Sequence, residues 1–196
     1  TQWDKIIAYL QKNPSLNEVI FSGGDPLMVQ TKRLAHYLES LEAITHIKTV
    51  RFHTRMPIVL PERIDDDFIT LMKNTRLLKV MVVHSNHENE LCEQTKAAFD
   101  SLKQSGVMLL NQSVLLNEIN DEVEVLVKLS RKLFEQGVMP YYLHLPDKVK
   151  ATSHFDVTLA KARKLHKQMQ ALLPGYLVPR LVQEVPGEKH KTLIIQ

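Results

Sequence analysis

Cysteine is almost missing from this chain. Cys92 stands alone among 196 residues, so no disulfide forms within the chain, and no metal site made of several cysteines can come from it. Such usage fits a reducing compartment, and the expected location is cytoplasmic. Long apolar runs are lacking too. The longest, such as "KVMVV" at 79–83 and "GVMLL" at 106–110, fall far short of the roughly 20 residues that span a bilayer, so no membrane segment is expected. The opening "TQWDKIIAYLQKN" has no basic region followed by an apolar core and a cleavage site, which argues against a secretory signal. It also lacks an initiator Met, and the chain is expected to begin partway into a longer one. Nor does one charge dominate: 25 basic residues face 22 acidic ones, for a net +3, and they are scattered along the chain. Nucleic acid is therefore not an expected partner, and a membrane surface still less. With 44% hydrophobic residues, the length suits one sizeable core and a single globular unit.

What is present is a rhythm. Five β-rich segments recur, at 18–22, 48–54, 77–85, 107–115 and 139–145, and stretches with helical spacing separate them. In one of these, Val123, Leu126, Val127, Leu129, Leu133 and Phe134 repeat at three- and four-residue intervals, the pattern of an amphipathic helix. Gly106 and Gly137 stand where helices should stop. Strand and helix alternating at a spacing of roughly 30 residues predicts parallel βαβ units. The strands read as largely apolar, as expected where helices cover a parallel sheet. Polar residues gather at their C-terminal ends, the end at which parallel α/β folds bind ligands: Ser22 to Asp25, His53 to Arg55, His84 to His87, Asn111 to Ser113 and His144 to Asp147. These tips favour a partial barrel over a dinucleotide-binding sheet. The tail from Leu172 differs, being apolar, rich in proline and ending in a strand-like "TLIIQ". The expected division is a barrel over 1–171 and a C-terminal segment over 172–196.

Several residues could carry chemistry, each with a plainer alternative. Gly23 and Gly24 allow unusual backbone torsions and close approach of a ligand, with Asp25 able to accept from an ammonium; equally, Asp25 can cap the next helix. His84 and His87 form an HxxH pair, which reads as a metal site or as ligand and backbone hydrogen bonding, the latter favoured for want of a third ligand. Asn111, Gln112 and Ser113 are ligand contacts or a satisfied buried network. Asp147 and Glu184 can face a cationic substrate or join surface salt bridges. Lys191, in "GEKHKTL", is a solvated loop lysine unless desolvation makes it a nucleophile. Cys92 reads as a packed thiol in a helix.

Taken in order, "FSGGDPLM", "RFHTRMPIVLPERI", "HSNHENEL", "SGVMLLNQ", "LLNQSVLLNEIND", "GVMPYYLHLPDKV" and "PGYLVPRLVQEVPGEKHKT" resemble the lysine 2,3-aminomutase family of radical S-adenosylmethionine enzymes. The branch most resembled acts on lysine for the modification of elongation factor P. The resemblance implies an α/β partial TIM-like (β/α)6 barrel without its first strand, followed by an extended C-terminal segment. It implies that Ser22, Gly23, Gly24 and Asp25, with His84 and Gln112, bind S-adenosylmethionine. Lys191 takes the place of the lysine that holds pyridoxal phosphate, and Asp147 and Glu184 that of two aspartates for the substrate's side-chain ammonium. Glu184 in place of Asp, and Glu188 to His190 in place of a glycine run, depart from the family.

The implied activity is an isomerase converting L-α-lysine to β-lysine. A radical from S-adenosylmethionine, cleaved by a reduced [4Fe–4S] cluster, takes a hydrogen from Cβ, and the amino group shifts from Cα. The family's CxxxCxxC motif for that cluster is absent from this sequence, so no metal ligands are expected here and the chain alone is expected to be inactive. An unpaired edge on the strand at 18–22 suggests a homodimer. Two other readings remain: a non-catalytic barrel binding a nucleotide or protein partner, and a pyridoxal-phosphate enzyme without radical chemistry.

Overall fold

The computed structural model describes residues 1–147, 153–188 and 190–194. These cluster into two compact units, Thr1–Val83 with Ala97–Leu109, and His84–Lys96 with Leu110–Gln196.

The first unit opens with α1 (Gln2–Lys12), whose start is a capping box in which Thr1 and Asp4 satisfy each other's backbone N–H groups. Strands β1 (Glu18–Phe21), β2 (Thr49–Thr54) and β3 (Leu78–Val83) follow, joined through α2 (Thr31–Glu42), a short α3 (Met56–Val59) and α4 (Asp66–Asn74). β1 pairs with β2 and β2 with β3, both parallel. In α2, Leu34, Leu38 and Leu41 fall on one stripe and are buried; in α4, Phe68 and Met72 do the same. Phe52, Phe68, Ile47 and Met81 are fully buried, each removing apolar area from water at roughly 25 cal/mol per Å². β2 is not uniformly apolar as expected. Val50, Phe52 and Thr54 are buried while Thr49, Arg51 and His53 are half-exposed, so one face of the strand is covered more than the other. On the other face Arg51 pairs with Glu18 at 2.9 Å.

The helix α5 (Glu93–Gln104) and the strand β4 (Val107–Val114) carry residues of both units. In the second unit, β4, β5 (Met139–His144) and β6 (Arg180–Gln183) are parallel neighbours, and β7 (Thr192–Leu193) returns antiparallel to β6. Ile195 and Gln196 of the expected terminal strand lie outside the described residues. α6 (Val123–Glu135) and α7 (Leu159–Leu172) bury Leu126, Val127, Leu165 and Met169 against Leu115, Leu143, Leu177 and Leu181 in one apolar cluster. Among the described residues no helix is long and apolar enough to cross a membrane.

One residue in this unit is under backbone strain. Glu118 has φ of 62° and its N–H donates to Asp121 Oδ1 at 3.0 Å. A left-handed conformation costs a side-chain-bearing residue about 1 kcal/mol that glycine avoids. Glu118→Gly is therefore expected to raise stability by about 1 kcal/mol in a urea titration; a loss of stability would show that the turn depends on the Glu side chain.

Candidate functional site

In the first unit, β1 ends at Phe21 and the chain turns through Ser22, Gly23 and Gly24, all exposed. Gly23 and Gly24 have φ of 86° and 78°, and a Cβ added at either would meet nothing within 4 Å. Torsion and not crowding requires glycine here, and the space before the backbone is open. Asp25 fixes this turn. Its Oδ1 accepts from Leu27 N–H at 3.0 Å and from the Thr54 hydroxyl at 2.6 Å, and its Oδ2 accepts from Arg55 N–H at 2.7 Å. One carboxylate thus caps the turn at Pro26–Met28 and ties the tip of β1 to the tip of β2. Arg63 clamps the far side, its Nε donating to Leu27 O at 2.7 Å and its Nη2 to Val29 O at 2.9 Å. Sequence reasoning placed Thr54 in the polar tip of β2 but gave neither it nor Arg63 a role; each supports the glycine turn from a distant element, through contacts visible only in the fold. A separate groove of about 480 Å³ between α2 and α4, lined by Leu38, Leu71, Glu39 and Asp67, contains none of the predicted residues.

In the second unit the "HSNHENE" stretch and the middle of β4 form a satisfied network. Asn111 accepts from Ser85 N–H at 2.8 Å and donates to Ser85 O and Ser113 Oγ, while Asn120 donates to Asn86 O and Val114 O. The Nδ1 atom of His87 accepts from Asn89 N–H at 3.1 Å, capping a single turn of helix. Asn111 and Ser113 therefore serve the fold. Gln112, one residue out of phase with them, points to the opposite face, and its Oε1 is buried without a hydrogen-bond partner among the described residues. His84, at the tip of β3, is half-buried. Cys92 is exposed and lies just before α5, contrary to the packed helical thiol expected, because the apolar stripe of α5 begins after it.

The register between β4 and β5 shifts, with Asn111 opposite Pro140 but Gln112 opposite Tyr142. Tyr141 is the extra residue. A bulge of this kind re-aims the side chains that follow, and here it puts Tyr142 on the face of Gln112. Two residues on, His144 meets the Tyr142 ring edge-on, with centroids 5.6 Å apart.

Lys191 reaches this face through the β6–β7 hairpin. Val182 pairs with Leu193 and Gln183 with Thr192, so the continuing register sets Glu184 opposite Lys191, with the turn at Pro186 and Gly187 between them. The ammonium donates to Glu184 Oε1, and Nζ lies 6.0 Å from the centroid of the Tyr142 ring. The Lys191 hydrogen bond, followed by its charge, holds the Glu184 carboxyl below the usual carboxylate range. A carboxyl lowered in this way keeps its pairing above the ordinary carboxylate range and loses it as pH falls through the lowered value. An NMR titration of the Glu184 carboxyl carbon is expected to show a midpoint below that of an unpaired glutamate, returning to the ordinary value in Lys191→Ala.

Beside the pair lies a cavity of about 620 Å³ lined by Asp147, Glu184 and Glu188 together with Pro146, Gln183 and Pro186. The second unit thus brings Asp147, Glu184 and Lys191 together. It offers a primary amine against a carboxylate, an aromatic face and a cavity whose walls attract cations. Among the described residues no group of three or more His, Cys, Asp or Glu side chains is arranged to hold a metal ion.

The fold has solved counterparts. Streptococcus suis SuiB bound to S-adenosylmethionine superposes with a TM-score of 0.67 at 12% identity, over 93% of this chain and 43% of that one. A radical SAM methyltransferase from Sphaerobacter thermophilus superposes at 0.59, with 13% identity, over 92% and 56%. The chain therefore has the α/β fold of radical SAM enzymes, a partial TIM-like barrel of parallel strands and helices. No family model matches the chain. Its sequence relatives are L-lysine 2,3-aminomutases: that of Haemophilus influenzae is 48% identical over 97% of this chain and 56% of its own length, and that of Escherichia coli K12 is 46% identical over the same shares. The chain spans just over half the length of the curated relatives it matches.

Proposed function

We propose that the protein is an isomerase of the lysine 2,3-aminomutase type, shifting the α-amino group of L-lysine to Cβ. The observation that carries this reading is Lys191 held by Glu184 beside a cavity that Asp147 also lines. Relatives with 48% and 46% identity named for that reaction support it. Pyridoxal phosphate, when attached to Lys191, supplies the carbonyl carbon through which an amino group is held and moved. The protein's own residues bind and position the reacting groups. Tyr142 gives an aromatic wall beside the lysine nitrogen, and Asp147 and Glu184 attract the substrate's side-chain ammonium. S-adenosylmethionine is assigned to Ser22, Gly23, Gly24 and Asp25, and to His84 and Gln112. Open space before the glycine pair and the buried, unpartnered Gln112 Oε1 fit such a ligand.

A [4Fe–4S] cluster does not fit this chain, whose one cysteine cannot supply the thiolates. The reading therefore proposes that the cluster's ligands are supplied by polypeptide outside these 196 residues and that the chain alone is inactive. Use of the product for elongation factor P, and a cytoplasmic location, rest on the motif resemblance and on cysteine usage. A homodimer is supported by β1, which among the described residues pairs with β2 alone and leaves Ile20 46% exposed; light scattering tests it. The activity is tested by giving the protein L-lysine, S-adenosylmethionine, pyridoxal phosphate, a reconstituted cluster and a reductant. The cluster-bearing full-length protein is expected to form β-lysine and the 196-residue chain is not; absence of product from the former overturns the proposal.

A further inference from the structure

The contact between Lys191 and Glu184 puts two proposed roles in competition. A substrate ammonium must share Glu184 with the protein's own, which holds its Oε1. Lys191 cannot act as a nucleophile while its nitrogen is held as an ammonium donating to Glu184. Resting on the reading above, we infer that attachment of a carbonyl cofactor at Lys191 releases Glu184 to bind the side-chain ammonium of the amino-acid substrate, so that the substrate site is completed only after the cofactor is seated.

The hairpin sets up the competition. The β6–β7 register fixes the two residues opposite each other, and the Pro186–Gly187 turn leaves them at the mouth of a short loop. Glu184 also forms part of the cavity wall that carries Asp147 and Glu188, so a released carboxylate already faces the space where an ammonium would sit. Lys191 has three N–H donors as an ammonium. On attachment its nitrogen forms a double bond to the carbonyl carbon, the carbonyl oxygen leaves as water with two of the protons, and the third either goes to solvent or stays on the nitrogen. At most one N–H is then left, where Glu184 had been bonded by a full ammonium. The cavity gains an unpaired carboxylate at the moment the cofactor is in place. His144 adds a smaller favourable charge effect at Glu184 and remains in both states.

The test uses cofactor-free protein and has two arms. In the first, calorimetry measures L-lysine binding to the wild type, Lys191→Ala and Lys191→Met, with norleucine as the probe lacking the ammonium. Both variants are expected to bind L-lysine about fivefold more tightly than the wild type, the tenfold-per-1.4 kcal/mol equivalent of an exposed ion pair of about 1 kcal/mol; norleucine should show no gain. Equal or weaker L-lysine binding by both variants overturns the inference. In the second, the rate at which pyridoxal phosphate develops its protein-bound absorbance is compared in the wild type and Glu184→Gln. It is expected to rise about fivefold in Glu184→Gln, where no carboxylate holds the ammonium; an unchanged or slower rate overturns the inference. If the wild type forms no covalent link at Lys191, the functional reading itself fails. If the link forms but neither arm moves, only the coupling fails.

Discussion

Replacing Lys191 with Ala is expected to abolish covalent attachment of pyridoxal phosphate and to drop β-lysine formation by the full-length protein below detection, while leaving the fold intact. The attachment point is a single nitrogen, and no nearby side chain in the described structure substitutes for it: the groups around Lys191 are a carboxylate, a phenol ring and a proline-rich turn. Stability should change little. The Lys191 and Glu184 side chains are 28% and 56% exposed, and an ion pair so placed contributes about 1 kcal/mol at most. Loss of the absorbance with an unchanged urea midpoint fits this account. Retained absorbance assigns the cofactor to another lysine, and a collapsed midpoint makes Lys191 structural.

Asp25→Ala is expected to destabilise the first unit by about 3 kcal/mol and to weaken S-adenosylmethionine binding with it. Removal of the carboxylate strands three donors, the N–H groups of Leu27 and Arg55 and the hydroxyl of Thr54. Thr54 is 1% exposed and Leu27 fully buried, so water cannot readily replace the acceptor these two lose, whereas the exposed Arg55 can turn to solvent; each unsatisfied group costs roughly 1–3 kcal/mol without simple additivity. Asp25→Asn keeps one oxygen for part of this network and should lose about 1 kcal/mol. Urea unfolding separates the two, and a loss below about 0.5 kcal/mol for Asp25→Ala would show that the glycine turn holds itself.

The same carboxylate shows how far sequence reading goes. Strands β1 to β5 were legible almost to the residue, because each is a short β-rich run closed by polar or glycine residues. The tail strand β6 was not resolved, since Pro179 and Pro186 bracket "RLVQ" and blur its period, and α1 and α7 were not singled out despite good caps at Thr1 and Thr158. Asp25 was legible as a cap or a ligand. That it joins two strand tips was not, because Thr54 and Arg55 come next to it only through parallel pairing. Gln112 likewise separates from Asn111 and Ser113 by strand alternation, but the bulge at Tyr141 that sets Tyr142 beside it leaves no sequence signal. Lys191 and Glu184, seven residues apart, look like solvated loop charges until a proline–glycine turn folds the hairpin and the register makes them meet.

The proposed amino-group chemistry passes through the nitrogen of Lys191. The most direct measurement is to incubate the protein with pyridoxal phosphate, reduce with borohydride, digest, and map the modified peptide by mass spectrometry. The account predicts a phosphopyridoxyl group on Lys191, reduced in yield when excess L-lysine competes for the cofactor. Modification of other lysines with Lys191 untouched, or none above that of a denatured control, would contradict it.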